Sequence, residues 1–152
     1  MKEALALTAL ALAAAVAVPM AASAADFGTA AEAKALVEKA AVTLKAGEAD
    51  ALAKFNDAAG GFRDRDLYVF CFEAGSGMWT AHPNKALMGT DVRALKEKDG
   101  SPLGDKLFAA PKDGVVTSVD YKFPRPGGTE PVAKETFLVK VGGQACGVGY
   151  YK

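Results

Sequence analysis

Histidine occurs once in this 152-residue sequence, at His82, tryptophan once, at Trp79, and cysteine twice, at Cys71 and Cys146. So few nitrogen and sulfur ligands exclude a structural zinc centre, which wants about four. Neither cysteine stands in a C-x-x-C or C-x-x-C-H pattern, so a thioredoxin-type site and a covalently attached haem are not expected, and no cofactor is. Arginine is scarce as well: Arg63, Arg65, Arg93 and Arg125 are dispersed, and 18 basic residues cancel 18 acidic ones. Without a basic patch or stripe to neutralise phosphates, a nucleic-acid partner is excluded. A nucleophile motif is missing too, because Ser76 lies in the glycine turn Gly75-Ser76-Gly77 and not in a strained strand-to-helix elbow, so no enzyme is expected.

What is present begins with a targeting signal. Lys2 precedes the Ala/Leu/Val run Ala4 to Val18, followed by Pro19 and the small-x-small pattern Ala22-Ser23-Ala24. The run is shorter than the roughly 20 residues that cross a bilayer. Residues 1–24 therefore read as a cleaved secretory signal peptide, and the mature chain, 25–152, as one periplasmic domain that is not embedded in the membrane. Disulfides persist in that compartment. Cys71 and Cys146 permit one bridge if the fold brings their Cα atoms within about 7 Å, and two buried free thiols are the equal alternative.

Thr29-Ala-Ala-Glu32 is a capping-box pattern, and Ala33, Leu36, Val37, Ala40 and Leu44 recur at helical spacing after it. Gly47 interrupts this long helix, and Glu48 to Asn56 continues as a second piece. Arg63 to Asp66 reads as a charged loop. Leu67 to Glu73 is a strand apolar on both faces, turning at Gly75 to Gly77 into a short strand that ends at His82-Pro83. Asp91 caps a short helix predicted over Val92 to Lys98, and Ser101-Pro102 opens another through Ala110. Three strands follow: Val115 to Phe123, Pro131 to Val141, and Gln144 to Tyr151 after the hairpin signal Gly142-Gly143. This order predicts an α+β fold, an antiparallel five-stranded sheet with helices on one face.

Two residues stand out as candidates for ligand contact. His82, held by Pro83, is a hydrogen-bonding or titrating group. Lys134 shares a strand face with Thr136 and Leu138 and is a cation for a bound carboxylate, or else a lysine that snorkels at the sheet edge. Tyr121 and Trp79 each join an apolar body to one polar handle, as pocket walls or as core. Gly147 and Gly149 leave space above the last strand for something to approach the backbone.

Tyr68-Val-Phe-Cys-Phe-Glu73, the glycine turn and Ala81-His-Pro83 together resemble the signature of the single Cache domain (type 2), a PAS-like extracytoplasmic sensing family. Phe55-Asn-Asp57, Val119-Asp-Tyr-Lys-Phe-Pro124, Pro131 through Lys134 to Val139 and Gly147-Val-Gly-Tyr150 extend the resemblance over the whole mature chain. It implies a PAS-like fold, a small-molecule ligand of the organic-acid kind, and contacts from His82, Tyr121 and Lys134, with Trp79 and Phe70 as walls. It also implies a membrane sensor or receptor as partner, although no kinase or methyl-accepting segment follows Lys152. Departures are Cys71 for an ordinary apolar residue, Glu73 for Asp, and Phe137 for a Tyr whose hydroxyl would be lost from the ligand set. The expectation is a periplasmic stand-alone ligand-binding module for sensing. The alternative is an interaction or redox-structural subunit that docks on a partner without a ligand.

Overall fold

The computed structural model describes residues 26–152, so the expected signal peptide lies outside the described residues. Helix α1, Ala30–Ala46, starts at a complete capping box: the Glu32 N–H donates to Thr29 Oγ1 at 3.3 Å, and the Thr29 N–H donates to Glu32 Oε2 at 2.8 Å. Gly47 separates it from α2, Glu48–Asn56. The strands are β1, Arg63–Asp64; β2, Leu67–Glu73; β3, Trp79–Ala81; β4, Thr117–Pro124; β5, Pro131–Val141; and β6, Gln144–Tyr151, with α3, Leu103–Ala109, between β3 and β4. The sheet is antiparallel, in the order β1-β2-β6-β5-β4, with β3 also paired to β2.

The fold is the expected α+β one, with three local differences. A sixth strand is added, because Arg63 and Asp64 pair with Tyr68 and Leu67 around a tight turn in which Arg65 adopts φ 55°. The charged lead-in is therefore a hairpin and not a loop. The helix expected over Val92 to Lys98 shrinks to a 3-10 turn, Val92–Ala94. Its continuation is lost because the Leu95 carbonyl turns to accept the Gly104 N–H at 2.9 Å, and Gly104 lies so close to the Val92 carbonyl that any Cβ there would collide. Helical cover is also not confined to one face. Helices α1 and α2 pack on one side, while α3 and the 3-10 turns Lys85–Leu87 and Val92–Ala94 roof the other.

Strand alternation sorts the residues between these faces. On β2, Leu67, Val69 and Cys71 join Val37, Ala40 and Phe55 under α1 and α2, whereas Phe70 and Phe72, with Tyr68 packed beside them, belong to the opposite cluster with Trp79, Leu103 and Leu107. Cys71 and Cys146 are direct partners across β2 and β6, with Cα atoms 4.1 Å apart, and are joined by a disulfide. No described helix is long and apolar enough to cross a membrane.

Candidate ligand-binding site

Between the sheet and its thinner roof lies a cavity of about 260 Å³. Its floor follows from the strand register. Phe70 faces Gly147 and Leu138 in one row, and Thr136 faces Gly149 in the next, with Lys134 paired to Tyr151 and Tyr121 beyond it. The two glycines are hollows filled by neighbouring side chains. A Cβ on Gly147 would come within 2.5 Å of the Phe70 ring, and one on Gly149 within 2.6 Å of Lys134 Cε. What approaches β6 so closely is the cavity lining itself, which lets Lys134 lie flat across the sheet.

All five residues singled out from the sequence, His82, Tyr121, Lys134, Trp79 and Phe70, line this one cavity. Lys134 is 4% exposed, yet among the described residues it makes no ion pair within 4 Å. Aromatic rings surround its ammonium, with Nζ 4.6 Å from the Tyr151 centroid, 5.5 Å from Tyr68 and 5.9 Å from Phe123. Cation–π attraction offsets part of the cost of burying the charge. Burial still pulls its pKa down to about 8, against a smaller upward pull from Asp66.

His82 is fixed from both sides. The Asn84 N–H donates to its Nδ1 at 2.9 Å, and its own N–H donates to Asn56 Oδ1 at 3.4 Å. Asn56 in turn donates from Nδ2 to the Thr80 carbonyl at 2.8 Å, so the end of α2 clamps the backbone that carries the histidine. Burial lowers the His82 pKa to about 4, and the positive charges of Lys134, Lys85 and Arg63 act in the same direction. The neutral ring, with Nδ1 already accepting, carries its proton on Nε2 and is a donor there. Edge contacts with Trp79 at 5.1 Å and Tyr68 at 5.4 Å hold its plane.

Tyr121 shares a hydrogen bond with Thr136 Oγ1 at 2.8 Å, and burial drives its pKa upward, so the hydroxyl stays protonated. The indole Nε1 of Trp79 is buried and has no hydrogen-bond partner among the described residues. Among the described residues no carboxylate lines the cavity. The lining thus offers one cation and several donors, few of them opposed by an acceptor, and it suits an acceptor-rich anion.

Sequence reasoning missed Tyr68, whose period-two relation to Phe70 places it in the same wall and could have found it. It also missed Leu103 and Leu107 in the roof, which no motif marks because their position depends on how α3 packs. Phe137 is a correction. It lies on the opposite face, stacked on Tyr150 with centroids 5.9 Å apart, so the missing hydroxyl at that position takes nothing from the cavity. Among the described residues no group of three or more His, Cys, Asp or Glu side chains could hold a metal ion.

No family model matches the chain. A periplasmic sensor domain of a chemotaxis protein superposes with a TM-score of 0.58 at 26% identity, over 78% of this chain and 87% of that one. A Cache chemosensory domain, solved to explain carboxylic acid recognition, superposes with a TM-score of 0.61 at 23% identity, over 80% of this chain and 91% of its own. The chain has the Cache fold. A methyl-accepting chemotaxis protein from Vibrio parahaemolyticus RIMD 2210633 is similar in fold, with a TM-score of 0.63 at 19% identity, over 80% of this chain and 86% of that one. In sequence, methyl-accepting chemotaxis protein McpP of Pseudomonas putida is 31% identical over 90 residues, 58% of this chain, and the chain spans 16% of that relative's length.

Proposed function

We propose that this Cache domain reversibly binds a small carboxylate in the cavity over β5 and β6, as the sensory input of a signal-transduction system in the periplasm. The observation that carries the reading is Lys134, a buried cation without a paired anion among the described residues, in a cavity that they line with no carboxylate. Taking a charge out of water costs several kcal/mol, the ring contacts offset only part of that, and a cation so placed in a cavity is the mark of a site that a ligand anion completes. The carboxylate meets Lys134 through a charge-assisted hydrogen bond, His82 Nε2 and the Tyr121 hydroxyl donate to its oxygens, and Phe70 and Trp79 enclose the rest. At about 260 Å³ the cavity is below the usual range for drug-sized ligands, which points to a molecule of few carbons. The carboxylic acid recognition of the similar Cache chemosensory domain supports the same ligand class. The role in this reading is binding, in keeping with the chemosensory and periplasmic sensor domains that the fold resembles.

Calorimetric titration of the purified protein with acetate, propionate and butyrate, and with the matching amines, tests this. Saturable binding of at least one acid, no binding of the amines, and loss of acid binding in Lys134→Met are expected. A Lys134→Met protein that keeps the affinity of the wild type overturns the assignment. A wild type that binds no small molecule and co-purifies with a membrane receptor points instead to a docking subunit.

A further inference from the structure

Lys134 belongs to a second arrangement that ligand contact does not use. The Tyr151 ring is shared by two cations, with Lys134 Nζ and Arg125 Cζ each 4.6 Å from its centroid. One buried carboxylate, Asp66, stands between their demands. Its Oδ2 lies 4.0 Å from Arg125 Nη1, too far for a hydrogen bond, and both atoms are buried without a hydrogen-bond partner among the described residues. The field of Asp66 also reaches Lys134, where it favours the charged form. Buried polar atoms without a partner are uncommon in folded proteins, and here two of opposite charge face each other while the rest of the Arg125 side chain reaches solvent.

The far side of this pair grips the chain where it enters α1. The Gly28 N–H donates to Asp66 Oδ1 at 2.6 Å, and Arg125 stacks on the Phe27 ring at 4.2 Å. Gly28 also lies flush on Leu67, whose side chain any Cβ at that position would displace. Residues 27 and 28 are therefore tied to Arg125 and Asp66, and Arg125 meets the cavity lysine across the Tyr151 ring that both cations contact. A ligand shifts an equilibrium only by interacting differently with its two states. Here that difference is electrostatic, because a carboxylate on Lys134 compensates the charge that now draws on Asp66.

We propose that ligand binding at Lys134 commits Asp66 to Arg125, closes their 4.0 Å gap to hydrogen-bond distance, and thereby clamps Phe27 and Gly28 at the start of α1. The trigger rests on the carboxylate reading; the clamp itself does not. Amide exchange at Gly28, followed by NMR in the full chain, tests both. Saturation with propionate slows Gly28 exchange roughly tenfold, the scale of one added charged hydrogen bond. Arg125→Gln still binds propionate but leaves Gly28 exchange unchanged by it. Lys134→Met, without any ligand, shows the slowing on its own, because it removes the competing cation. The clamp is overturned if propionate saturates the wild type, reported by the single histidine, and Gly28 exchange does not move. It is equally overturned if a folded Lys134→Met protein exchanges Gly28 at the unliganded rate. Should propionate fail to bind, the carboxylate reading falls and the Lys134→Met arm alone decides the clamp.

Discussion

The two faces of the sheet are built from the same strands and differ in what they leave undone. Under α1 and α2 the packing is apolar: Val37, Ala40 and Phe55 meet Leu67, Val69 and Val148, and a disulfide ties β2 to β6 in their midst. One residue along the same strands, the opposite face holds a cavity, a buried unpaired ammonium and an indole N–H without a partner among the described residues. Because side chains alternate along a strand, the apolar core and the disulfide fall on one face, and the cavity with Lys134 and the Trp79 indole falls on the other. The open cavity face can keep these groups because the closed helix face carries the apolar packing and the disulfide.

The largest test of that division is Phe55→Ala. Phe55 is fully buried with its ring edge-on to Phe62 at 4.6 Å, so truncation costs about 3–5 kcal/mol by urea unfolding. Its propionate affinity stays within about threefold of wild type, a change of less than about 1 kcal/mol. Next comes the disulfide, which closes a loop of sequence separation 75. The double variant Cys71→Ala/Cys146→Ala loses about 2–4 kcal/mol, again with ligand affinity preserved. A large affinity loss in either variant breaks the comparison, since it makes the faces one cooperative unit.

The boundary between the faces is partly legible in the amino-acid sequence. Apolar alternation and the glycine turns locate β2 through β6, and the shared face of β5 at Lys134, Thr136 and Leu138 follows from period two alone. The family resemblance gathers residues more than fifty positions apart, His82 and Lys134, into one set, and the fold brings them to one cavity. What stays hidden depends on tertiary contact. The 3-10 turn at Val92 ends because α3 claims the Leu95 carbonyl, and Asp66 is buried only because the hairpin at Arg65 folds it towards Arg125. Local sequence carries no record of either.

Lys134 sharpens the comparison through pH. Its pKa in the folded protein is about 8, below the ordinary lysine value of 10.5. Between these values the unfolded chain binds the proton that the folded protein has released, so stability rises with pH across the window. The gain in the ligand-free protein is about 2–3 kcal/mol from pH 8 towards pH 10. Above pH 10 Tyr68 opposes it, since burial raises that pKa to about 12 and the unfolded chain ionises first. Thermal melts across this range should show the rise in wild type and its absence in Lys134→Met; a rise that persists in the variant places its origin outside the cavity.

The smallest effect belongs to His82, which lines the same cavity just after β3. Its folded pKa of about 4 lies below the ordinary 6.5, so its contribution is fully present above pH 6.5 and is lost as pH falls through the window to 4. Partial solvent access screens the group, which limits the loss to about 1 kcal/mol. Wild type should therefore lose stability on this acid limb, and His82→Gln, which keeps a neutral polar group, should flatten it while Phe55→Ala shifts the whole curve without changing its shape. An acid limb unchanged in His82→Gln would move the titrating group to the helix face or the surface. Propionate adds a second reading of the same limb, because a carboxylate beside His82 favours its protonated form and should move the midpoint upward.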